Sequence, residues 1–417
     1  MRISLVSPHK LMADIALPAS KSVSNRALLL QALCPTQRFA IANLAVCDDT
    51  DHMQQGVAAK RGGAQLIDIG ATGTAMRFLT AYLAIAEGET VITGSERMRQ
   101  RPIGTLVEAL RKLGADIAYV EKEGFPPLHI RGRKLQGGAL EIEAGISSQY
   151  ISALLMIAPC LDEGLTLHLK GNIASRTYIE LTLDLMRKYG AVAEWVDEQT
   201  ICVNPGGYDD VPLSVEGDWS AASYWYELAA IAVSRGCDVD VVLRGLVANS
   251  RQGDRVVAQL FEALGVKTEY VEEGARLSKQ EPVISNQKSE VNLDFTHCPD
   301  IAQTMAVTYC LLGIPYTFRG IHSLRIKETD RVAALIAELR KLGYVLRAEG
   351  DELLVWDGTR CAPDTNPVIQ TYDDHRMAMA FAPAALCFEN LTIEHPEVVT
   401  KSYPDFWEDL KLIDRHI

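Results

Sequence analysis

Two short stretches of this 417-residue chain set cations beside a carboxylate or a row of hydroxyls. In "LRIKETDRVAAL", Lys327, Glu328 and Arg331 are spaced i,i+4 and i,i+3, so on a helix they share one face. In "LPASKSVSNRALLL", Lys21 and Arg26 lie among Ser20, Ser22, Ser24 and Asn25, just ahead of the apolar run 27–30, with Ser22 four residues before Arg26. Ordinary ion pairs at a helix start would explain either stretch alone; so would a site that grips an anion and moves a proton. "ISSQYIS" offers Ser147, Ser148 and Gln149 as an N-cap or a phosphate cradle. "RMRQRPIG" crowds Arg97, Arg99 and Arg101, with Pro102 suited to a first helical turn. Asp300 in "CPDIAQT" fits an N-cap or a catalytic carboxylate. "DDHRMAM" gathers Asp373, Asp374, His375 and Arg376, and "TKSYPDFWEDL" adds Lys401. Cations (Lys21, Arg26, Arg97, Arg101, Lys327, Arg331, Arg376, Lys401) with two carboxylates (Asp300, Glu328) suit substrates bearing several phosphates or carboxylates, with acid–base chemistry between them.

The elements that must carry these residues repeat. "LVEALRKLGADIAYV", "LTLDLMRKYGAVAEWV", "VVAQLFEALGVKTEYV" and "VAALIAELRKLGYVLRAE" each read as an amphipathic helix, a C-terminal glycine and a short strand. Their glycines, Gly114, Gly190, Gly265 and Gly343, recur at steps of 76, 75 and 78 residues; a weaker copy ends at Gly63, 51 residues before the first. "FWEDLKLIDRHI" predicts a sixth, truncated helix. A second series is almost charge-free in its bodies and polar at its starts: "SKSVSNRALLLQAL", "GATGTAMRFLTAYLAIA", "GISSQYISALLMIAP", "GDWSAASYWYELAAIA", "CPDIAQTMAVTYCLLG" and "DDHRMAMAFAPAALCF". Helices apolar all round are buried helices. The chain therefore reads as six α/β units, three to a domain, with a boundary near "VEGDWS" and the N-terminal strand joining the C-terminal domain. The first unit is about a hairpin short. Parallel buried helices would present their N-termini together, each with unpaired N–H groups and about half a positive charge. Of the chemistry-bearing stretches, "SKSVSNRALLL", "ISSQYIS", "CPDIAQT" and "DDHRMAM" stand at those starts.

Composition bounds the function. A net charge of −13 argues against nucleic acid as partner, so binding charge for an anion must be concentrated locally. The nine cysteines are scattered, with no C-x-x-C pair, which suggests neither a disulfide framework nor a metal site. There is no Gly-rich nucleotide loop, and no cofactor is expected. No apolar run approaches a membrane span and the start lacks a signal-like apolar region, so a cytoplasmic protein is expected.

The motifs "LPASKSVSNRALLL", "CDDTDHM", "GATGTAMRFL", "RMRQRPIG", "SSQYISALLM", "CPDIAQTMAV", "RIKETDR", "YDDHRMAMAF" and "KSYPDFWEDL" run nearly the whole chain, in the order found in 5-enolpyruvylshikimate-3-phosphate synthases, which the sequence closely resembles. The resemblance implies an α/β fold of two inverse α/β-prism domains. Each would hold three βαβαββ units with buried parallel helices, joined by two crossovers. Residues 1–16 with 218–417 would form one domain and 17–217 the other, with the active site in the cleft between them. It implies transfer of the enolpyruvyl group of phosphoenolpyruvate to the 5-hydroxyl of shikimate 3-phosphate, by a monomer acting on small molecules.

By the same resemblance, Asp300, Glu328, Lys21 and His375 would be catalytic. Lys21, Gly73, Arg101, Gln149, Arg331, Arg376 and Lys401 would bind phosphoenolpyruvate. Ser22, Arg26, Ser147, Ser148, Gln149, Ser175, Tyr178, Asp300, Ser323 and Lys327 would bind shikimate 3-phosphate. Four places depart from the family pattern: Ala71–Thr72 where Asn-Ala or Asn-Ser is usual, Phe78 where proline or leucine is frequent, Ser323 in place of asparagine, and a shortened 56–70. The competing readings are a UDP-N-acetylglucosamine enolpyruvyl transferase, which typically has Lys-Asn where this chain has Lys21-Ser22, and a catalytically weak binding homologue.

Overall fold

The computed structural model describes residues 1–3, 10–145, 147–283 and 290–413. By packing, the chain divides into two compact units, Ser20–Val215 and Met1–Ala19 with Glu216–Ile417.

The unit of residues 20–215 holds seven helices: α1 (Lys21–Leu33), α2 (Asp48–Arg61), α3 (Gly73–Ile85), α4 (Glu96–Arg99), α5 (Gly104–Lys112), α6 (Ser148–Ile157) and α7 (Arg176–Lys188). Helices α1, α3 and α6 pack on one another. Their bodies are mostly apolar, and in α3 all residues from Ala75 to Ala84 are buried, Arg77 and Thr80 among them. In α5 and α7 only one stripe is buried, such as Leu106, Val107, Ala109 and Leu110, as the amphipathic repeat requires.

Two of this unit's sheets have the same topology. Leu66–Asp68 pairs in parallel with Gly88–Thr93, which continues antiparallel to Leu128–Gly132 and Asp116–Tyr119. Gly138–Glu143, Leu165–Lys170, Thr200–Val203 and Ala193–Trp195 repeat that pattern. Each is a parallel crossover followed by a hairpin. The third sheet is only a parallel pair, Ile41–Ala42 with Leu213–Ser214. Its hairpin is absent, because α2 runs through the turn at Gly62–Gly63 straight to Leu66, the opening strand of the next sheet.

The unit of residues 1–19 and 216–417 repeats the plan with α8 (Trp219–Ser234), α9 (Val257–Glu262), α10 (Ala302–Leu312), α11 (Arg331–Lys341), α12 (His375–Phe381) and α13 (Phe406–Leu410). Lys10–Ala16, Asp238–Arg244, Gly274–Lys279 and Val266–Val271 form one four-stranded sheet. Val291–Asp294, Tyr316–Arg319, Leu353–Trp356 and Arg347–Glu349 form the second. In the third, Val368–Ile369 and Leu391–Ile393 run parallel, and Arg2–Ile3 from the chain start adds antiparallel to Leu391–Ile393. The buried α8 and α10 pack together, as do α10 and α12, and Trp219, Trp225, Tyr224 and Tyr309 fill the core they share.

The glycine endings behave as the repeat demands. Gly63, Gly114, Gly190, Gly265 and Gly343 all have positive φ, from 77° to 97°, the left-handed conformation that ends a helix at little cost to glycine. The terminal helix is shorter than expected, five residues, and 414–417 lie outside the described residues. Pro102 is not in a first helical turn. It separates α4 from α5, and its carbonyl accepts from Tyr150 Oη at 2.6 Å and Arg77 Nη2 at 3.4 Å. No helix among the described residues is long and apolar enough to cross a membrane.

Candidate active site

The predicted residues fall into two clusters, one in each unit. In the unit of residues 216–417, Arg331 is the hub. Asp330 caps α11 by accepting from the backbone N–H groups of Val332 and Ala333, so the helix begins at Arg331. Lys327 consequently lies outside it, ending the 3₁₀ turn His322–Ile326, and the expected helix face shared by Lys327 and Arg331 does not form. The i,i+3 pairing does: Arg331 Nη2 donates to Glu328 Oε2 at 3.1 Å. The same guanidinium donates to Asp374 Oδ2 at 2.7 Å and to Asp300 Oδ1 at 3.1 Å. Burial opposes its charge, but Asp374, Glu328 and Asp300 together hold its pKa above the ordinary arginine value.

Asp300 is the second junction. It sits in the 3₁₀ turn Pro299–Ile301 ahead of α10, and its side chain caps neither element. Instead it lies 3.5 Å from Lys327 Nζ and 3.3 Å from Arg376 Nη2. Arg376 Nη1 also donates to the Asp300 carbonyl at 3.2 Å. Lys327 is pushed below the usual lysine range by burial, with Asp300 opposing and Arg331 assisting. Lys401 closes the cluster from the 3₁₀ turn Pro396–Lys401, 2.9 Å from Glu328 Oε1. His375 is buried at the start of α12, with Nδ1 3.6 Å from Asp374 Oδ1. Ser323 is half-buried, four residues before Lys327 on the same turn.

In the unit of residues 20–215, the helix starts carry the second cluster. Ser20 caps α1, and Lys21, its first residue, pairs with the buried Asp49 of α2 at 3.0 Å. One turn on, Arg26 is buried with neutral partners: Thr182 Oγ1 at 2.7 Å, the Ser22 carbonyl at 2.9 Å and Ser152 Oγ at 3.2 Å. Its guanidinium lies 5.3 Å from the Phe78 ring centre and 5.7 Å from that of Tyr178. Burial lowers its pKa to about 10, with Tyr178 opposing.

Gly73 opens α3, where a Cβ would come within 2.7 Å of Arg101 Nη1 and 3.0 Å of Arg77 Nη1; the absence of a side chain lets both guanidinium groups approach that helix start. Arg97 and Arg99, by contrast, are exposed on α4. Ser147 caps α6 by accepting from Gln149 N at 3.3 Å, Ser148 is the first helical residue, and Gln149 Nε2 donates to Thr74 Oγ1 at 3.2 Å. Ser175, at the start of α7, has φ 54° and ψ 43°, an uncommon conformation for a residue with a Cβ, and Tyr178 follows in the first turn. Ala71 is exposed, while the neighbouring Thr72 is buried and hydrogen-bonded to His52 Nδ1 at 3.1 Å.

Sequence reasoning missed the residues that hold these groups. Asp49 and Arg77 lie in quoted motifs but carry no signal of their own, and Asp374, named with its neighbours, carries none that points to Arg331. Asp254 and Ser220 lay in a turn and a helix start; Ser220 donates to Asp254, and Arg376 Nη2 donates to Ser220 Oγ at 3.4 Å. Burial, with Asp300 nearby, pushes Asp254 up to about 7. Among the described residues no group of His, Cys, Asp and Glu is arranged to hold a metal ion.

The chain is similar to known proteins over nearly its whole length. The family model of EPSP synthase (3-phosphoshikimate 1-carboxyvinyltransferase) matches residues 6–62 and 56–410, two stretches that meet at the shortened segment. A 3-phosphoshikimate 1-carboxyvinyltransferase from Bacteroides fragilis is 52% identical over 411 residues, covering 99% of this chain and 97% of the relative. One from Vibrio atlanticus is 38% identical over 438 residues, covering 99% of each. Among solved structures, an EPSP synthase from Acinetobacter baumannii matches with a TM-score of 0.73 at 20% identity, over 97% of this chain and 96% of that one. The enolpyruvyl transferase NikO from Streptomyces tendae matches with a TM-score of 0.71 at 13% identity, over 97% and 95%. The fold is the inverse α/β prism, present twice.

Proposed function

Because the chain belongs to the EPSP synthase family, we propose that it transfers the enolpyruvyl group of phosphoenolpyruvate to the 5-hydroxyl of shikimate 3-phosphate, releasing phosphate, in the shikimate pathway to aromatic amino acids. The observation that carries the reading is the Asp300 carboxylate set among Lys327, Arg331 and Arg376, with Glu328 between Arg331 and Lys401. Two groups able to take or give a proton are embedded in cations able to hold anionic substrates.

In this reading Arg331 and Arg376 bind the phosphoenolpyruvate carboxylate, and Lys21, Arg101 and Lys401 its phosphate, with Gly73 and Gln149 alongside. Ser147, Ser148 and Ser175 hold the shikimate phosphate. Ser22, Arg26, Gln149, Tyr178, Ser323 and Lys327 surround the rest of that substrate. The buried Arg26, bonded only to neutral groups in its own unit, suits an incoming anion. Asp300 takes the proton of the 5-hydroxyl as its oxygen attacks the carbon bearing the phosphate. Glu328 and Lys21 deliver a proton to the vinyl methylene, giving a tetrahedral intermediate. Loss of a methyl proton then restores the double bond and expels phosphate, with His375 in a supporting catalytic role. Both units would act on the same pair of substrates, so residues from each contribute to one reaction. A cytoplasmic monomer of 45.8 kDa is the proposed working form.

The test is inorganic phosphate release from phosphoenolpyruvate, with either shikimate 3-phosphate or UDP-N-acetylglucosamine as acceptor. Release with the shikimate acceptor alone is expected. Release only with the nucleotide sugar would replace this reading, and release with neither would leave a binding homologue.

A further inference from the structure

The segment Gln370–Asp374, which delivers Asp374, His375 and Arg376 to the cluster, is held at two points by a single helix. One is the Arg331–Asp374 pair at the start of α11. The other is Glu338, seven residues on and so on the same face about 10 Å away. Glu338 is fully buried. Its Oε1 accepts from Tyr372 Oη at 2.7 Å, and its Oε2 from the backbone N–H of Gln370 at 3.0 Å and from Lys341 Nζ at 2.6 Å. Lys341 also donates to the Val368 carbonyl at 2.8 Å, at the strand that leads in.

Between the two anchor points the backbone is in an uncommon state. Tyr372 and Asp373 have φ of 54° and 55°, two consecutive non-glycine residues in the left-handed region, a conformation that persists only where the surroundings over-determine it. The doubled turn brings the chain back so that Asp374 N–H meets the Thr371 carbonyl at 2.9 Å, while the Asp374 carboxylate caps α12 at Arg376 N and grips Arg331.

We infer that Glu338 is a positioning residue for phosphoenolpyruvate: through Tyr372 and Gln370 it holds the turn that aims Asp374 and Arg376, and so keeps Arg376 in register with Arg331. This rests on the reading of Arg331 and Arg376 as the carboxylate-binding pair. Neither Glu338 nor Tyr372 belongs to the cluster itself; they act through the turn.

Two variants test it by steady-state phosphate release. Tyr372→Phe deletes one hydroxyl from a half-exposed ring, and Glu338→Gln keeps the side chain's shape while removing its charge. The expected result for Tyr372→Phe is a KM for phosphoenolpyruvate raised roughly three- to tenfold, the range of one net hydrogen bond. The KM for shikimate 3-phosphate should stay close to the parent's. Glu338→Gln should raise the same KM further. A phosphoenolpyruvate KM within about twofold of the parent's in Tyr372→Phe overturns the inference, because a merely structural contact would lower the melting temperature and leave KM alone. If the parent releases no phosphate with shikimate 3-phosphate, the underlying functional reading fails and the inference with it.

Discussion

At the scale of single residues, Asp300 and Asp254 differ in their surroundings. Asp300 touches Lys327, Arg331 and Arg376. Asp300→Ala should lower kcat by about 10²–10⁴ while largely sparing phosphoenolpyruvate binding, measured by steady-state phosphate release beside equilibrium binding. Near-normal turnover would remove Asp300 from the mechanism. Asp254 is buried behind Ser220 and raised to about 7 from an ordinary 3.8. Across that window the folded chain keeps a proton that the unfolded chain gives up, so stability falls as pH rises, by at most about 1.4 kcal/mol per pH unit. Asp254→Asn, which cannot ionise, should therefore gain melting temperature relative to the parent as pH rises from about 4 to about 7. A constant difference across that range would show that Asp254 stays ionised throughout.

At the scale of elements, the start of α11 decides where the Arg331 side chain points. Asp330 satisfies two of the helix's free N–H groups. Asp330→Ala should cost about 1 kcal/mol of stability in thermal or denaturant unfolding, a typical loss for a removed N-cap; an unchanged midpoint would place the cap's role elsewhere. The elements were largely legible in the sequence, because period and punctuation are local. The apolar bodies of α3 and α6, the stripes of α5 and α7 and the left-handed glycines that end the surface helices all follow from neighbours a few residues apart. Lys21, Arg331 and Arg376 were legible at polar helix starts for the same reason. Their partners were not. Asp374 is 43 residues from Arg331, and Thr182 is 156 from Arg26, distances at which one chain's spacing carries no information about contact. Lys327 lies outside the helix because the Asp330 carboxylate caps it at Arg331, a start set by hydrogen bonds rather than by periodicity.

At the scale of the whole molecule, the chain leaves one unit after Ala19 and returns at Glu216, and the isolated bridge between Ala19 and Gly217 sets these two passages side by side. Residues 20–215 thus begin and end close together and carry their own buried helices α1, α3 and α6. Expressed alone, they should unfold in one cooperative thermal transition and release no phosphate from phosphoenolpyruvate. A fragment without a transition would show that its core needs the remaining residues. The reduced third sheet of this unit has a practical side. Where its two counterparts in the unit extend into hairpins, this chain turns at Gly62–Gly63, and at Gly63 no atom stands within 4 Å of where a Cβ would be. Lengthening a surface loop costs only about 0.6 kcal/mol per doubling, and exposed turns tolerate insertions best. That turn is therefore a graft point, where an epitope tag or a reporter module could be spliced into the enzyme while every buried helix keeps its place.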